Sequence, residues 1–183
     1  MKILEMILGA NDGLNVQRMA ESLGIDQTQA RSGIENLVPA LTKGLKRETA
    51  SPQGMQGLLG ALTQGNHQRY VDDPESLKRA ETVADGNGIL GHILGSKDVS
   101  RRVAANASDR SGVDAGILKK MLPLVATMVM GSMSNQASRA GLDASAPTAA
   151  GSSGAMGALS AMLDADDDGS ITDDLLGLAK KFF

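Results

Sequence analysis

Residues 117–133, ILKKMLPLVATMVMGSM, decide how this chain folds. They form its most apolar run, and after Lys120 no charge occurs until Arg139. A helix that is apolar on every side must be buried on every side, in a protein core or in a bilayer. A bilayer span needs about 20 apolar residues. Residues 121–130 supply ten, with Lys119 and Lys120 before them and Gly131, Ser132 and Ser134 after. The stretch therefore reads as a core helix around which the others wrap, and not as a membrane span. Met121, Met128, Met130 and Met133 fill irregular gaps in such a core more readily than they build a sticky face for a partner. Pro123 removes one helical hydrogen bond and crowds the preceding turn, which predicts a helix start or a kink there.

Working outward, 183 residues suffice for one core. Aromatic residues are only 2%, so that core is aliphatic and methionine-rich. Few aromatics and few β-branched runs favour helices over sheet. The expected fold is an all-α multihelical bundle with a buried central helix. Residues 1–133 would form the core, 134–153 (SNQASRAGLDASAPTAAGSS) a flexible linker or long loop, and 154–183 a C-terminal helical segment packing on the core. There is no cysteine, which excludes disulfides, thiol catalysis and cysteine metal sites. The start, MKILEMILGA, carries Glu5 inside its apolar run, unlike a secretory signal. It reads as a short amphipathic helix in a cytoplasmic protein.

Helix boundaries are written in capping residues. Val16, Met19, Ala20 and Leu23 have helical spacing, with Gly24 as a C-cap. Asp26 or Thr28 caps the next helix, which Pro39 interrupts. Residues 46–53 (KRETASPQ) read as a loop, Gly65 and Asn66 as a turn, and Asp72, Asp73, Pro74 and Glu75 as a helix start. Gly86, Asn87 and Gly88 read as a turn, and Ser96 or Asp98 as the cap of a helix over 99–107. Residues 16–41 can also be laid on residues 99–124, valine on valine and proline on proline with one insertion. This suggests two pseudo-repeated helical units in one core. Gly-x-x-Gly-x-Leu clusters at 57–62 and 154–159, and the related 88–93, would let helices approach closely.

One stretch carries sharp chemistry. In Asp164-Ala-Asp166-Asp-Asp168-Gly169-Ser170-Ile171-Thr172, carboxylates fall at positions one, three and five of an EF-hand-like loop. Glycine falls at position six, a backbone carbonyl at Ser170, and Thr172 in the ninth place. Calcium wants six to eight oxygens, and this register supplies most of them. Position twelve, a bidentate glutamate in that pattern, is Leu175 here, leaving Asp173, Asp174 or water to fill the gap. Two readings stand: a weak, structural calcium site at Asp164, Asp166, Asp168, Ser170 and Thr172, or a turn whose aspartates cap the closing helix.

A helix-turn-helix is also legible at residues 19–37, with Gln27, Gln29 and Arg31 on the would-be recognition helix. Its local charge is balanced, whereas phosphate contacts supply most nucleic-acid affinity. Net charge runs 0 over residues 1–50, −2 over 51–96, +4 over 97–139 and −5 over 140–183. The basic segment is modest, so DNA association is the alternative and not the leading reading. Catalysis finds little support. The two histidines, His67 and His92, lie apart, His92 reads as a packed or surface residue, and no phosphate loop of proper form occurs.

Residues 34–39 (IENLVP), residues 117–123 (ILKKMLP), the run GILGHILG at 88–95, and the ending LDADDDGS followed by DDLLG and FF together resemble a bacterial family of unknown function typified by YidB. The resemblance covers nearly the whole chain. It implies an all-helical fold around a buried central helix, and it implies no activity. The resulting expectation is a non-enzymatic protein that acts through protein–protein contacts or self-association.

Overall fold

The computed structural model describes residues 2–139, less the side chains of Lys2, Thr63 and Gln64. Residues 140–183 lie outside the described residues, and with them most of the expected linker and the loop of Asp164, Asp166, Asp168, Ser170 and Thr172. The fold is all-α. The helices are α1 (Lys2–Gly9), α2 (Leu14–Leu23), α3 (Gln27–Thr49), α4 (Pro52–Gln64), the single turn α5 (Arg69–Asp72), α6 (Ala80–Leu94), α7 (Lys97–Ser111) and α8 (Ala115–Arg139). Tight 3-10 turns cover Ala10–Gly13 and Pro74–Lys78.

The apolar stretch is the axis of the bundle. Every position from 121 to 134 is buried, and each of the other seven α-helices touches α8. By length and composition this helix could cross a bilayer, but the surrounding helices cover it. Fully burying each Leu, Met or Val contributes about 1.5–3 kcal/mol. Pro123 neither starts nor ends α8, which runs from 115 to 139. A buried face on both sides of the proline carries the helix through its missing hydrogen bond. Pro39 is tolerated likewise: α3 buries Ala30, Ile34, Leu37 and Val38 before it, and Leu41 and Leu45 after it. The helix α8 also continues six residues past 133, where the linker was expected to begin, and Ser134 and Ala137 are buried in it.

Local chemistry sets most boundaries as expected. Gly24 ends α2 in the left-handed region, at φ 68°. Asp26 accepts the Gln29 backbone N–H at 2.8 Å while Gln29 reaches back to Asp26 N, closing a capping box. Ser96 accepts the Val99 N–H at 3.3 Å. The expected loop at 46–53 shrinks to Ala50 and Ser51, because α3 extends to Thr49 and Ser51 caps α4 with Pro52 in its first turn.

Two turns share local chemistry, in a register other than the expected alignment of residues 16–41 on 99–124. Gly24, Ile25 and Asp26 link α2 to α3; Gly112, Val113 and Asp114 link α7 to α8. Both glycines are left-handed. Asp114 accepts backbone N–H groups of Gly116 and Ile117, as Asp26 does from Gln29. The turns therefore correspond, whereas the two prolines stand at different distances from their caps, 13 and nine residues.

Glycine placement departs from expectation. Gly86, Asn87 and Gly88 are helical, inside α6, not a turn. The Gly-x-x-Gly pairs at 57–60 and 88–91 face open space. Close approach instead occurs at Gly86, where an added Cβ would lie 2.2 Å from the Pro123 carbonyl oxygen, and at Gly44, 2.7 Å from the Ile93 carbonyl oxygen. Alanine is a better helix former than glycine by about 1 kcal/mol, so two substitutions in one helix separate the effects. Gly88→Ala should stabilise by about 0.5–1 kcal/mol. Gly86→Ala should destabilise by about 1–3 kcal/mol, because backbone must move. Urea unfolding of both variants checks this, and loss of stability at Gly88 or gain at Gly86 would refute the packing.

Candidate functional site

A cleft with chemical character lies where α6 ends, α7 begins and α8 passes beneath. Gly95, left-handed at φ 77°, stops α6; Ser96 is extended and restarts the chain as α7. The turn leaves a cleft of about 690 Å³ against the first turns of α8. Its apolar lining is Leu90 and Leu122, both buried. Its cationic lining is Lys97, Arg101 and Lys119, joined by the hydroxyls of Ser96 and Ser100. Arg101 spends one nitrogen on Asp98 at 2.7 Å. Among the described residues neither Lys97 nor Lys119 has a carboxylate within ion-pair distance. The N-terminal turn of α7 lies on the same side, capped by Ser96 and with Asp98 in its first turn. The cleft thus offers an aliphatic floor, a positive rim and hydroxyl hydrogen bonds, which suits an anionic or acidic-amphipathic ligand.

Only part of this was readable in advance. The +4 balance of residues 97–139 signalled a basic region, and Ser96 was legible as a cap. The partnership of Lys97 with Lys119 arises from helix crossing. His92 stands exposed on α6 and does not line the cleft. Asp73 caps the Pro74–Lys78 turn through the Glu75 N–H, and Asp72 accepts from Asn135 at 3.0 Å, so both carboxylates have structural uses. Among the described residues no group of three or more histidine or acidic side chains is arranged to hold a metal.

The stretch read as a helix-turn-helix holds two helices, α2 and α3, joined by the Gly24 turn. Gln27, Gln29 and Arg31 are exposed on the first turns of α3. Two of its cations are engaged: Arg31 pairs with Glu35 at 3.1 Å, and Arg18 with Glu21 at 2.8 Å and Glu75 at 2.7 Å.

A second polar cluster escaped the sequence reading. The Tyr70 hydroxyl donates to the Asp85 carboxylate, and the Arg69 guanidinium donates to both, at 2.8 and 3.0 Å. Arg69 also stacks over the Tyr70 ring at 4.9 Å. Burial, with the hydrogen bond to Asp85, raises the Tyr70 pKa and keeps its proton in place. His67 sits beside this ring, centroid to centroid 5.9 Å, with Nδ1 buried and without a hydrogen-bond partner among the described residues. Burial lowers its pKa, Asp85 opposing and Arg69 reinforcing. The cluster fastens α5 to α6. Since the fold favours neutral His67, its contribution to stability is complete above about pH 6.5, the ordinary histidine value, and is lost as pH falls through the lowered folded value. Urea midpoints measured from pH 7 to 5 should therefore fall, and His67→Gln should flatten that slope. An unchanged slope in the variant would dismiss the assignment.

No curated protein and no solved structure matches this chain. One family model does, described as bacterial protein of unknown function (DUF937), and it matches residues 3–136. The match begins inside α1 and ends three residues before the close of α8, so it spans all the helices around the central one, the cleft and the Tyr70 cluster. The bundle built on residues 115–139 is the fold of that domain, and the chain belongs to this bacterial family of unknown function.

Proposed function

We propose that this protein works without catalysis, as a helical module acting through contacts with another protein or with a second copy of itself, and that the α6–α7–α8 cleft is the contact surface. One observation carries the reading: an aliphatic floor of Leu90 and Leu122 rimmed by Lys97, Arg101 and Lys119. Apolar floors supply binding energy at protein interfaces. Rim charges steer encounter and select complementary partners. A cytoplasmic location is part of the same proposal. Likeness to the YidB-type members rests on the GILGHILG run at 88–95 and the acidic ending.

Two further proposals have their own support. The formed α2–turn–α3 unit, with Gln27, Gln29 and Arg31 exposed, supports DNA association as the alternative; no mobility shift at low salt would end it. The six loop positions in register at 164–172 support weak calcium binding. Calorimetric titration should give a dissociation constant near or above about 1 mM, abolished by Asp166→Ala. No heat up to several times that concentration would make the loop a capping turn.

For the leading reading, Lys97→Glu with Lys119→Glu should leave helicity intact and weaken self-association or partner capture about tenfold or more, most strongly at low salt. Light scattering and pull-down with the full chain check this. A strict monomer that captures nothing, or capture indifferent to both reversals, defeats it.

A further inference from the structure

We propose that the cleft between α6, α7 and α8 is occupied by this chain's own acidic segment, residues 164–174, whose carboxylates pair with Lys97, Arg101 and Lys119. The inference rests on the reading of the cleft as a contact surface. It names the occupant that any external partner must displace.

Charge complementarity is the first argument. Residues 164–174 hold six aspartates and no cation. The cleft lining holds three cations and no carboxylate. Lys97 and Lys119 have no ion-pair partner among the described residues, and Arg101 keeps donors beyond the one nitrogen given to Asp98. Lys97, Arg101 and Lys119 are exposed, so their attraction for the aspartates acts over short range and is screened by salt.

Chemical match of the neighbouring stretch is the second. Residues 156–163, MGALSAML, precede the aspartates directly. Aliphatic and methionine side chains suit the Leu90 and Leu122 floor, while the carboxylates that follow suit the rim. A volume of about 690 Å³ admits a few side chains at a time, so only part of the segment engages at any moment.

Reach is the third. The cleft meets α8 at Lys119 and Leu122, and the described chain ends at Arg139. Seventeen helical residues separate Leu122 from Arg139, a rise of about 26 Å. Twenty-five residues lead from Arg139 to Asp164, and a chain of that length spans up to about 80 Å. The tether thus covers the return path several times over. It holds the segment at an effective concentration of about millimolar, enough to compete with a free ligand of modest affinity.

The test uses a fluorescent peptide of residues 154–175 and the full chain, in two forms. One is the native chain. The other carries Asp→Asn at 164, 166, 167, 168, 173 and 174, which strips the occupant of charge without touching the bundle. Anisotropy at low salt should show the peptide binding the Asn variant at least about tenfold more tightly than the native chain, because the native cleft is filled. Adding Lys97→Glu and Lys119→Glu to the Asn variant should abolish binding, with circular dichroism confirming unchanged helicity. If those reversals unfold the chain, the salt series decides: about 0.5 M NaCl should release the peptide by screening. Equal affinity for both chains overturns self-occupancy while leaving the cleft as a contact surface. Binding to neither likewise overturns self-occupancy, and binding indifferent to salt overturns the charge pairing.

Discussion

The bundle depends on a helix that has no face for water. From 121 to 134 every residue of α8 is buried, so its neighbours must approach from all around, and its polar side chains find partners only inside the bundle, as Thr127 and Ser134 do and the Ser132 hydroxyl, among the described residues, does not. Thr127 donates to the Leu124 carbonyl at 2.8 Å and Ser134 to the Leu62 carbonyl at 2.7 Å. Gly131 lets the 67–71 backbone lie close, since a Cβ there would stand 2.7 Å from the His67 carbonyl oxygen. Requirements made by one stretch thus set where α4, α5 and α6 can sit.

Those requirements explain why some sequence signals read true and others did not. Caps are local chemistry. Asp26 with Gln29, Ser96 with Val99, and left-handed Gly24 each act within four residues, so a linear reading finds them. Breakers are judged against a helix standing alone. Proline inside a helix costs about 3 kcal/mol, and so Pro39 and Pro123 read as ends. In the bundle, each lies between buried apolar neighbours whose combined burial exceeds that cost. Gly86 inverts meaning for the same reason: it looks like a turn residue, and it is the point at which α6 presses on the Pro123 carbonyl. The information that decides it sits 37 residues away.

The candidate site was legible to a lesser degree. A surplus of cations over residues 97–139 can be counted, but counting does not join Lys97 to Lys119 or set them above Leu90 and Leu122. The left-handed turn at Gly95 joins them, by reversing the chain between two helices that both rest on α8. Tyr70 and Asp85 were hidden likewise, 15 residues apart on separate elements. Such clusters follow from packing, and hydrophobic periodicity specifies packing only to the level of which face turns inward.

A helix without a solvent face also limits where function can be placed. Its exposed positions lie at its two ends. At the C-terminal end, Asn135 and Ser138 are tied to Asp72 and Gln68 by hydrogen bonds, at 3.0 and 2.6 Å. At the N-terminal end, Lys119 and Lys120 project beside an open cleft, and Lys119 lines it. Two lysines beside a run that must be buried disfavour that burial unless they can reach water or a carboxylate. The fold places both at the boundary, exposed and with no carboxylate within ion-pair distance among the described residues. Any anionic ligand that reaches this end of α8 meets charge that the bundle has not neutralised, over a floor continuous with its core. That coincidence of unspent charge and core access is the physical reason to look for function there.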